Sequence, residues 1–510
     1  MINRRQLLGT AGAVAGAALV GGPAGAGAHA ADRSRGSGQG RRPLALTHAT
    51  VVDGARTHAD RTILIAGDRV VTVEPSAAVP AGARVVDVRG KYVIPGLVEA
   101  HVHTSGPEEI MAPLFPLTGV TAVREMWGQP VHHEWRRKVD TGRLLGPRWV
   151  IASPILDGPP TLFTNDTGGE VIEVTDEASA RRAVRRVARE GADFVKVYSR
   201  LSRRAHAAIA DEARRRGLRI AGHCPDALTI AECADAGQQS IEHLHALLLA
   251  TATPAAEREI RRGLARVRLD PREPSSLERY NAWFRQVHVL EYEAVRHYDR
   301  DRARELFDRL AARGTRVVPT LSVHHSLERP EELPTGEEEW KYLPDWMVGE
   351  WPGTWKTLTA NRTSRDAAMI RRIYAHRLHL VEELHRSGVP LLAGTDTGTG
   401  YLVPGFSLHG ELELLAEAGL PARDVLDAAT TAPARMLGLP EHRADLVVLD
   451  ANPLADIRNT RRIDSVVTAG RYLGREDRKR ELAAVARAAA ESQPPAGPAA
   501  AAARSPRRCC

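Results

Sequence analysis

The sequence predicts an α/β protein: a (β/α)8 TIM-like barrel with a small composite β-sandwich domain built from the two chain segments that flank it. Three observations predict this. Between residues 94 and 438, short apolar strands alternate with amphipathic helices, the pattern of a parallel sheet with crossover connections. β-Branched runs punctuated by Gly and Asp occur at 44–93 and again at 444–474, too few at the second place for a domain of their own. Histidines, a lysine and an aspartate stand where successive barrel strands should end.

Taken in order, residues 1–30 form a separate object. Arg4 and Arg5 precede an apolar stretch from Leu7 to Val20, and Ala28–Ala30 offer small residues for cleavage. That stretch is short for a membrane span, so a signal peptide is expected, and the paired arginines match the twin-arginine type that exports folded proteins. A Sec-type signal with a chance arginine pair is the alternative. Without a cysteine after the apolar region, no lipid or other stable membrane anchor is expected, and the mature chain should be exported to a periplasmic or extracellular location. Residues 31–43, rich in Ser, Gly and Arg, are expected to be a linker.

The runs "LALTHATVVDG", "RTILIAGDRVVTV" and "ARVVDVRGKYVI" predict hairpins, which "ADLVVLDANP" and "IDSVVTAGRYL" would complete from the far end of the chain. Within the barrel, "DEASARRAVRRVAREG" spaces Ala183, Val184, Val187 and Ala188 along one helical face, with Gly191 as the stop. The strand "ADFVKVYS" follows. Ser202 caps the next helix, "LRIAGH" is a strand, and "ALTIAECADAG" leads into "QQSIEHL". Units of this length leave room for eight between 94 and 438. The tail from residue 484 to 510, rich in Ala, Pro and Arg, is expected to be disordered.

Composition narrows the functional classes. A net charge of +7 spread among interspersed acids, without aromatic-interleaved basic runs, gives no nucleic-acid signature. Four cysteines are too few for a disulfide framework.

The strand ends carry the candidate chemistry. In "VIPGLVEAHVHT", His101 and His103 are two apart, so both imidazoles face one side of a strand and can reach one ion. Lys196, His223, His243 and Asp396 end later strands, and the ends of parallel barrel strands converge on one face. A lone buried histidine is ordinarily a hydrogen-bonded core residue, and an Asp after a strand is ordinarily a cap. The pairs His132–His133 and His324–His325 occur without such placement. Six candidate ligands in register make a metal centre the better account.

Lys196 is the informative member. Only six of the 70 basic residues are lysines, yet one lies in an apolar strand. A guanidinium stays charged, whereas a desolvated amine loses its proton more readily and can take up carbon dioxide. The carbamate so formed has two oxygens, enough to bridge two cations. A snorkelling or salt-bridged lysine is the plainer alternative.

The motifs "GLVEAHVHT", "GADFVKVYS", "RIAGHCP", "SIEHL" and "LLAGTDTG", in this order, resemble the metal-dependent amidohydrolase superfamily, in particular its imidazolonepropionase-like and Xaa-Pro-dipeptidase-like members. The resemblance spans about residues 44–474. It implies a binuclear hydrolase acting on carbon–nitrogen bonds. His101, His103, carbamylated Lys196 and Asp396 would hold one ion, and the carbamate with His223 and His243 the other. Two divalent ions are expected, zinc by default for so nitrogen-rich a set. Asp396 would serve as general base and then acid in cleaving an amide, and Tyr198 would hold a substrate carboxylate or oxyanion unless it merely packs at the rim. The substrate would be a small dipeptide such as Xaa-Pro, or an N-acyl amino acid. The alternatives are cyclic-amide, ester or phosphotriester hydrolysis on the same centre, and a non-catalytic binding scaffold. A homo-oligomer is left open. The connection Leu439–Arg443 is shorter than in relatives, which bears on the edge of the small sheet. Residues 324–355, long, aromatic and irregular, would form a lid over the site.

Overall fold

The computed structural model describes residues 42–75, 77–165, 168–270 and 275–494. The signal-peptide expectation, nearly all of the linker and the last residues of the tail lie outside these.

Two sheets organise the chain. The first is assembled from both flanks: β1 (Leu44–Asp53), β2 (Arg56–Ala66), β3 (Arg69–Glu74), β4 (Arg84–Asp87) and β5 (Tyr92–Pro95), joined by the late strands β14 (Leu446–Leu449), β15 (Ile463–Thr468) and β16 (Arg471–Leu473). Its order is β16-β15-β14-β5-β1-β2-β3, with β4 also paired to β1. β14 runs antiparallel to β5, with Val447 opposite Ile94, so the far end of the chain closes the early sheet. The short connection before β14 does not leave the edge loose. Val70 donates to the carbonyl of His442 and Ala444 to that of Asp68, which seats the turn against the β2–β3 hairpin.

The second sheet is parallel, in the order β13-β12-β11-β10-β8-β7-β6. Its strands are β6 (Leu97–Val102), β7 (Val120–Glu125), β8 (Arg148–Asp157), β10 (Phe194–Val197), β11 (Arg219–Gly222), β12 (Gln238–Glu242) and β13 (Arg316–Val318), while the short β9 (Val171–Glu173) pairs with β8. β6 is buried along its whole length because it packs on both faces. Val98 and Ala100 point to helices and meet Ala434 and Met436, while Glu99 and His101, on the opposite side, point into the barrel.

The eighth position is filled by residues 389–397, which bridge β13 and β6 by isolated parallel pairs, Val317 with Leu391 and Val102 with Thr397. Ala100 donates to the carbonyl of Ala393 and His103 to that of Thr397, closing the barrel. The glycines of "LLAGTDTG" permit this approach. A Cβ on Gly394 would stand 2.8 Å from the backbone nitrogen of His101, and one on Gly398 would stand 1.7 Å from the carbonyl oxygen of His103.

The helices form as their residues dictate. Glu177–Arg189 starts at Asp176, whose side chain accepts from the backbone of Ser179, and buries Ala180, Ala183, Val184 and Val187 against the sheet. Ser202 caps Arg203–Arg215 by accepting from Ala205, and Gly191 turns with φ 87° after the preceding helix.

One expectation is corrected here. The tail is not irregular from residue 484: a helix runs Arg475–Glu491. Ala, Glu and Arg are strong helix formers. Val485 and Ala489 are buried, and Arg478 donates to the carbonyls of Leu117 and Ile463, tying the helix to the barrel and the small sheet. Composition pointed to disorder because the apolar anchors are only two in an alanine-rich run. The segment 324–355 is likewise ordered into short helices. Trp340, Trp351 and Trp355 pack round Tyr401, four residues beyond Thr397. Among the described residues no helix is long and apolar enough to cross a membrane.

Candidate metal centre

His101 leaves β6 and His103 the loop just beyond it, so both imidazoles enter the barrel at one end. Asp396 arrives from the closing segment with φ 66°, a left-handed backbone that turns its carboxylate toward the two rings. The Nε2 atoms of His101 and His103 lie 3.2 Å apart, and each is 3.0–3.1 Å from Asp396 Oδ1. All three side chains are buried. Two ring nitrogens and a carboxylate oxygen are thus gathered in mutual contact at one point. Their spacing is that of ligands on one tetrahedral ion, whose donor–donor edges are about 3.3 Å at ordinary zinc distances.

The opposite ring nitrogens show how the rings are aimed. His101 Nδ1 donates to Glu242 at 2.8 Å, and Glu242 is in turn held by Arg124 at 2.8 and 2.9 Å. His103 Nδ1 is 3.6 Å from Glu125, which receives hydrogen bonds from Thr104 and faces His132 at 3.7 Å. Carboxylates behind imidazoles fix ring orientation and leave Nε2 as the ligand atom.

His223 and His243 extend the row. Ring centroids are 5.0 Å apart from His101 to His243 and 4.9 Å from His243 to His223. Ser199 holds His223 Nδ1 at 2.8 Å and Thr320 holds His243 Nδ1 at 2.6 Å, while both Nε2 atoms are buried without a hydrogen-bond partner. A buried ring nitrogen with no partner is costly unless something binds there. Burial holds both imidazoles well below their usual pKa, reinforced at His223 by neighbouring positive groups and opposed in part at His243 by Asp396, so they present lone pairs near neutrality.

Lys196, on β10 between these groups, is fully buried. Its charge reaches His223, His243 and Glu242. Asp396 is pushed up by burial, but its contacts with His101 and His103 outweigh this and hold it well below the usual carboxylate range. The structure therefore brings His101, His103, Lys196, His223, His243 and Asp396 to one end of the barrel, and this donor set fits a metal centre.

Tyr198 lies beside the candidate ligands, its ring 5.8 Å from Lys196 Nζ. It is fully buried, its ring 4.0 Å from that of His223 and 5.8 Å from Phe163. It packs against a candidate ligand. A cleft beside His223 is bordered by Ser199, Cys224, Glu242, His245 and Trp283.

Sequence reasoning missed the supporting groups. Arg124, Glu125, Glu242, Ser199 and Thr320 carry no spacing signal, although Glu242 stands directly before His243. It also set aside His132 and His324 as histidine pairs without placement. His132 donates to the carbonyl of Thr104 beside Glu125, and His324 lies 6.1 Å from the His243 ring. Behind them His245 bonds Glu291 at 2.7 Å, and Arg377 pairs with both Glu291 and Glu328. His288, Glu291 and Glu328 are close enough to bind a cation geometrically, but the guanidinium of Arg377 neutralises both carboxylates.

The amidohydrolase family model matches residues 292–473. No curated protein matches the chain. Among solved structures, a bottromycin amidohydrolase is 24% identical over 89% of this chain and 92% of its own, with a TM-score of 0.67. A Bifidobacterium longum protein described as a candidate prolidase is 25% identical over 87% of this chain and 99% of its own, with a TM-score of 0.58. A Xaa-Pro dipeptidase with bound methionine shares 17% identity over 85% of this chain and the whole of its own, with a TM-score of 0.59.

Proposed function

We propose that this chain, an amidohydrolase-family hydrolase acting on carbon–nitrogen bonds, is an exported binuclear enzyme that cleaves the amide bond of a small dipeptide or N-acyl amino acid. The observation that carries the reading is the contact of His101 Nε2, His103 Nε2 and Asp396 Oδ1 within 3.0–3.2 Å, with the unpartnered Nε2 atoms of His223 and His243 in the same row of rings.

His101, His103 and Asp396 would hold one divalent ion and His223 with His243 the other, with Lys196, as a carbamate, between them. Bound there, such ions lower the pKa of a water and polarise a carbonyl. The residues do the rest. Asp396, kept ionised by His101 and His103, accepts the proton of the attacking water on a carboxylate oxygen and delivers it to the departing nitrogen. Glu242 and Arg124 keep the proton of His101 on Nδ1. Tyr198 supports the plane of the His223 ring. Thr320 does the same for His243 through a hydrogen bond.

The peptide-like substrate class rests on the likeness to the prolidase-type structures, and export rests on the arginine pair and apolar stretch at the start of the chain. Metal analysis of protein prepared with bicarbonate, followed by a release assay on Xaa-Pro dipeptides, N-acyl amino acids, cyclic amides, esters and phosphotriesters, tests the reading. Two ions per chain and turnover of the first two classes are expected. Fewer than about one ion per chain refutes the metal centre, and turnover confined to the other classes refutes the substrate. Lys196→Arg retains a cation but cannot become a carbamate, so it should lose metal as fully as Lys196→Ala.

A further inference from the structure

We propose that Cys224 and Cys233 are a disulfide site, in which the residue after His223 is joined covalently to the helix behind it. This goes beyond the hydrolytic reading and does not depend on it.

The two thiols are already in contact. Cys233 Sγ donates to Cys224 Sγ at 3.2 Å, so a bond of ordinary length needs the sulfurs to close by only about 1.1 Å. Their surroundings differ in a way that sets an order of reaction. Cys224 is 8% exposed and lines the cleft beside His223, Ser199 and Trp283, whereas Cys233 is wholly enclosed on the helix Ile230–Asp235. The remaining contacts of Cys224 Sγ, to the carbonyls of Pro225 at 3.9 Å and Leu228 at 3.7 Å, are weak and hold it loosely. The enclosure of Cys233 leaves Cys224, at the edge of the cleft, as the group that meets an incoming reagent.

The oxidant is a small disulfide such as oxidised glutathione. The Cys224 sulfur attacks it, forming a mixed disulfide and releasing one glutathione thiol, which takes up a proton. Cys233 then attacks the Cys224 sulfur, the Cys224–Cys233 bond forms, and the second glutathione leaves as a thiol. Two cysteine thiols have lost two electrons and two protons to one molecule of oxidised glutathione. The product closes a ten-residue ring from 224 to 233 that begins at the residue after a candidate metal ligand. It restricts the loop that carries His223.

Both cysteines lie in a single tryptic peptide, residues 220–258, which has no internal Lys or Arg. The full chain is reduced, freed of reductant, exposed natively to oxidised glutathione, alkylated and digested. The expected result is that this peptide escapes alkylation and is about 2 Da lighter than its reduced form, and that the urea midpoint of the oxidised chain lies above that of the reduced chain. In Cys233→Ser the reaction should stop with one glutathione on Cys224. Cys509 and Cys510 report whether the oxidant was effective. If these are oxidised while both cysteines of 220–258 remain alkylated, or if the wild-type peptide keeps a glutathione on Cys224, the proposal is overturned.

Discussion

Arg124→Met isolates the support behind the metal centre. The guanidinium is buried, donating through Nε to the carbonyl of Ala100 at 2.6 Å, through Nη1 to Ser240 at 2.8 Å and through Nη2 to both oxygens of Glu242 at 2.8 and 2.9 Å. Glu242 is fully buried, and burial alone would raise its pKa. Arg124 first and then His101 reverse this and hold it well below the usual range. Methionine fills similar space without charge and leaves Glu242 with only His101 and Ser240. Removing one partner of a buried pair costs about 3–5 kcal/mol. The sign with pH follows: a carboxylate depressed in the folded state contributes stability that is complete above its unfolded pKa of about 4.3 and is lost as pH falls. The variant should therefore lose this part of the acid sensitivity along with the stability. Once Glu242 protonates more readily it no longer fixes the His101 proton on Nδ1, and metal affinity should fall about 10- to 100-fold. Urea unfolding of metal-free protein from about pH 2 to 7, spanning the unfolded carboxylate pKa of about 4.3, and a chelator competition measure the two effects. The double variant Arg124→Met/Glu242→Gln should recover much of the stability but not the affinity. A single variant within about 1 kcal/mol of wild type, with an unchanged chelator midpoint, would refute the reasoning.

Asp396→Asn keeps the shape and an oxygen ligand but cannot accept a proton, so kcat should fall by about 10²- to 10⁴-fold while KM changes little; turnover within tenfold of wild type excludes the proton-carrier role. Arg377→Leu strands Glu291 and Glu328, both buried, and should lower the urea-derived stability by about 3–5 kcal/mol, an effect that Arg377→Leu/Glu291→Leu/Glu328→Leu reduces. His409, bonded to the carbonyl of Thr118 and to Thr460, is held down to about 3, by burial first and Arg461 next. Its folded pKa lies below the unfolded one of about 6.5, so its contribution is complete above pH 6.5 and fades as pH falls toward 3. His409→Gln should flatten the stability–pH curve across that window in metal-free protein, and an unchanged slope counts against the assignment.

The parallel barrel was legible because strand and helix periods differ and because Asp176, Ser202 and Gly191 punctuate the helices as local chemistry requires. The row of His101, His103, Lys196, His223, His243 and Asp396 was legible for a related reason: equivalent ends of parallel strands share one face. The groups behind it were not. Arg124 and Glu242 sit on different strands 118 residues apart, and no local period joins them. His324 reads as part of a polar pair in an irregular stretch, yet the helix Leu321–Glu328 turns it inward next to His243. Tyr198 follows Lys196 by two, just past the end of β10, and its ring lies 5.8 Å from Lys196 Nζ and 4.0 Å from the His223 ring.

The backbone itself supplies a last argument. His243, Thr320 and Asp396, none of them glycine, adopt left-handed φ values of 64°, 49° and 66°. Such a conformation costs a residue with a side chain about 1–2 kcal/mol. Of the eight non-glycine residues with positive φ among the described residues, these three fall on two candidate ligands and on the hydroxyl that bonds one of those, at 2.6 Å from His243 Nδ1. Glycine would relieve the strain at each place but would carry no ligand or hydrogen bond, so at these three positions the side chain's role at the site is the reason to keep it. Thr320→Gly tests this. If the strain serves the site, metal-free protein should be as stable as wild type or about 1 kcal/mol more so, while metal affinity falls about 10- to 100-fold because the His243 ring is no longer held. Thr320→Ser, which keeps the hydroxyl, should bind metal as the wild type does. A glycine variant that loses more than about 2 kcal/mol of stability with its metal affinity intact would assign the turn to the fold alone.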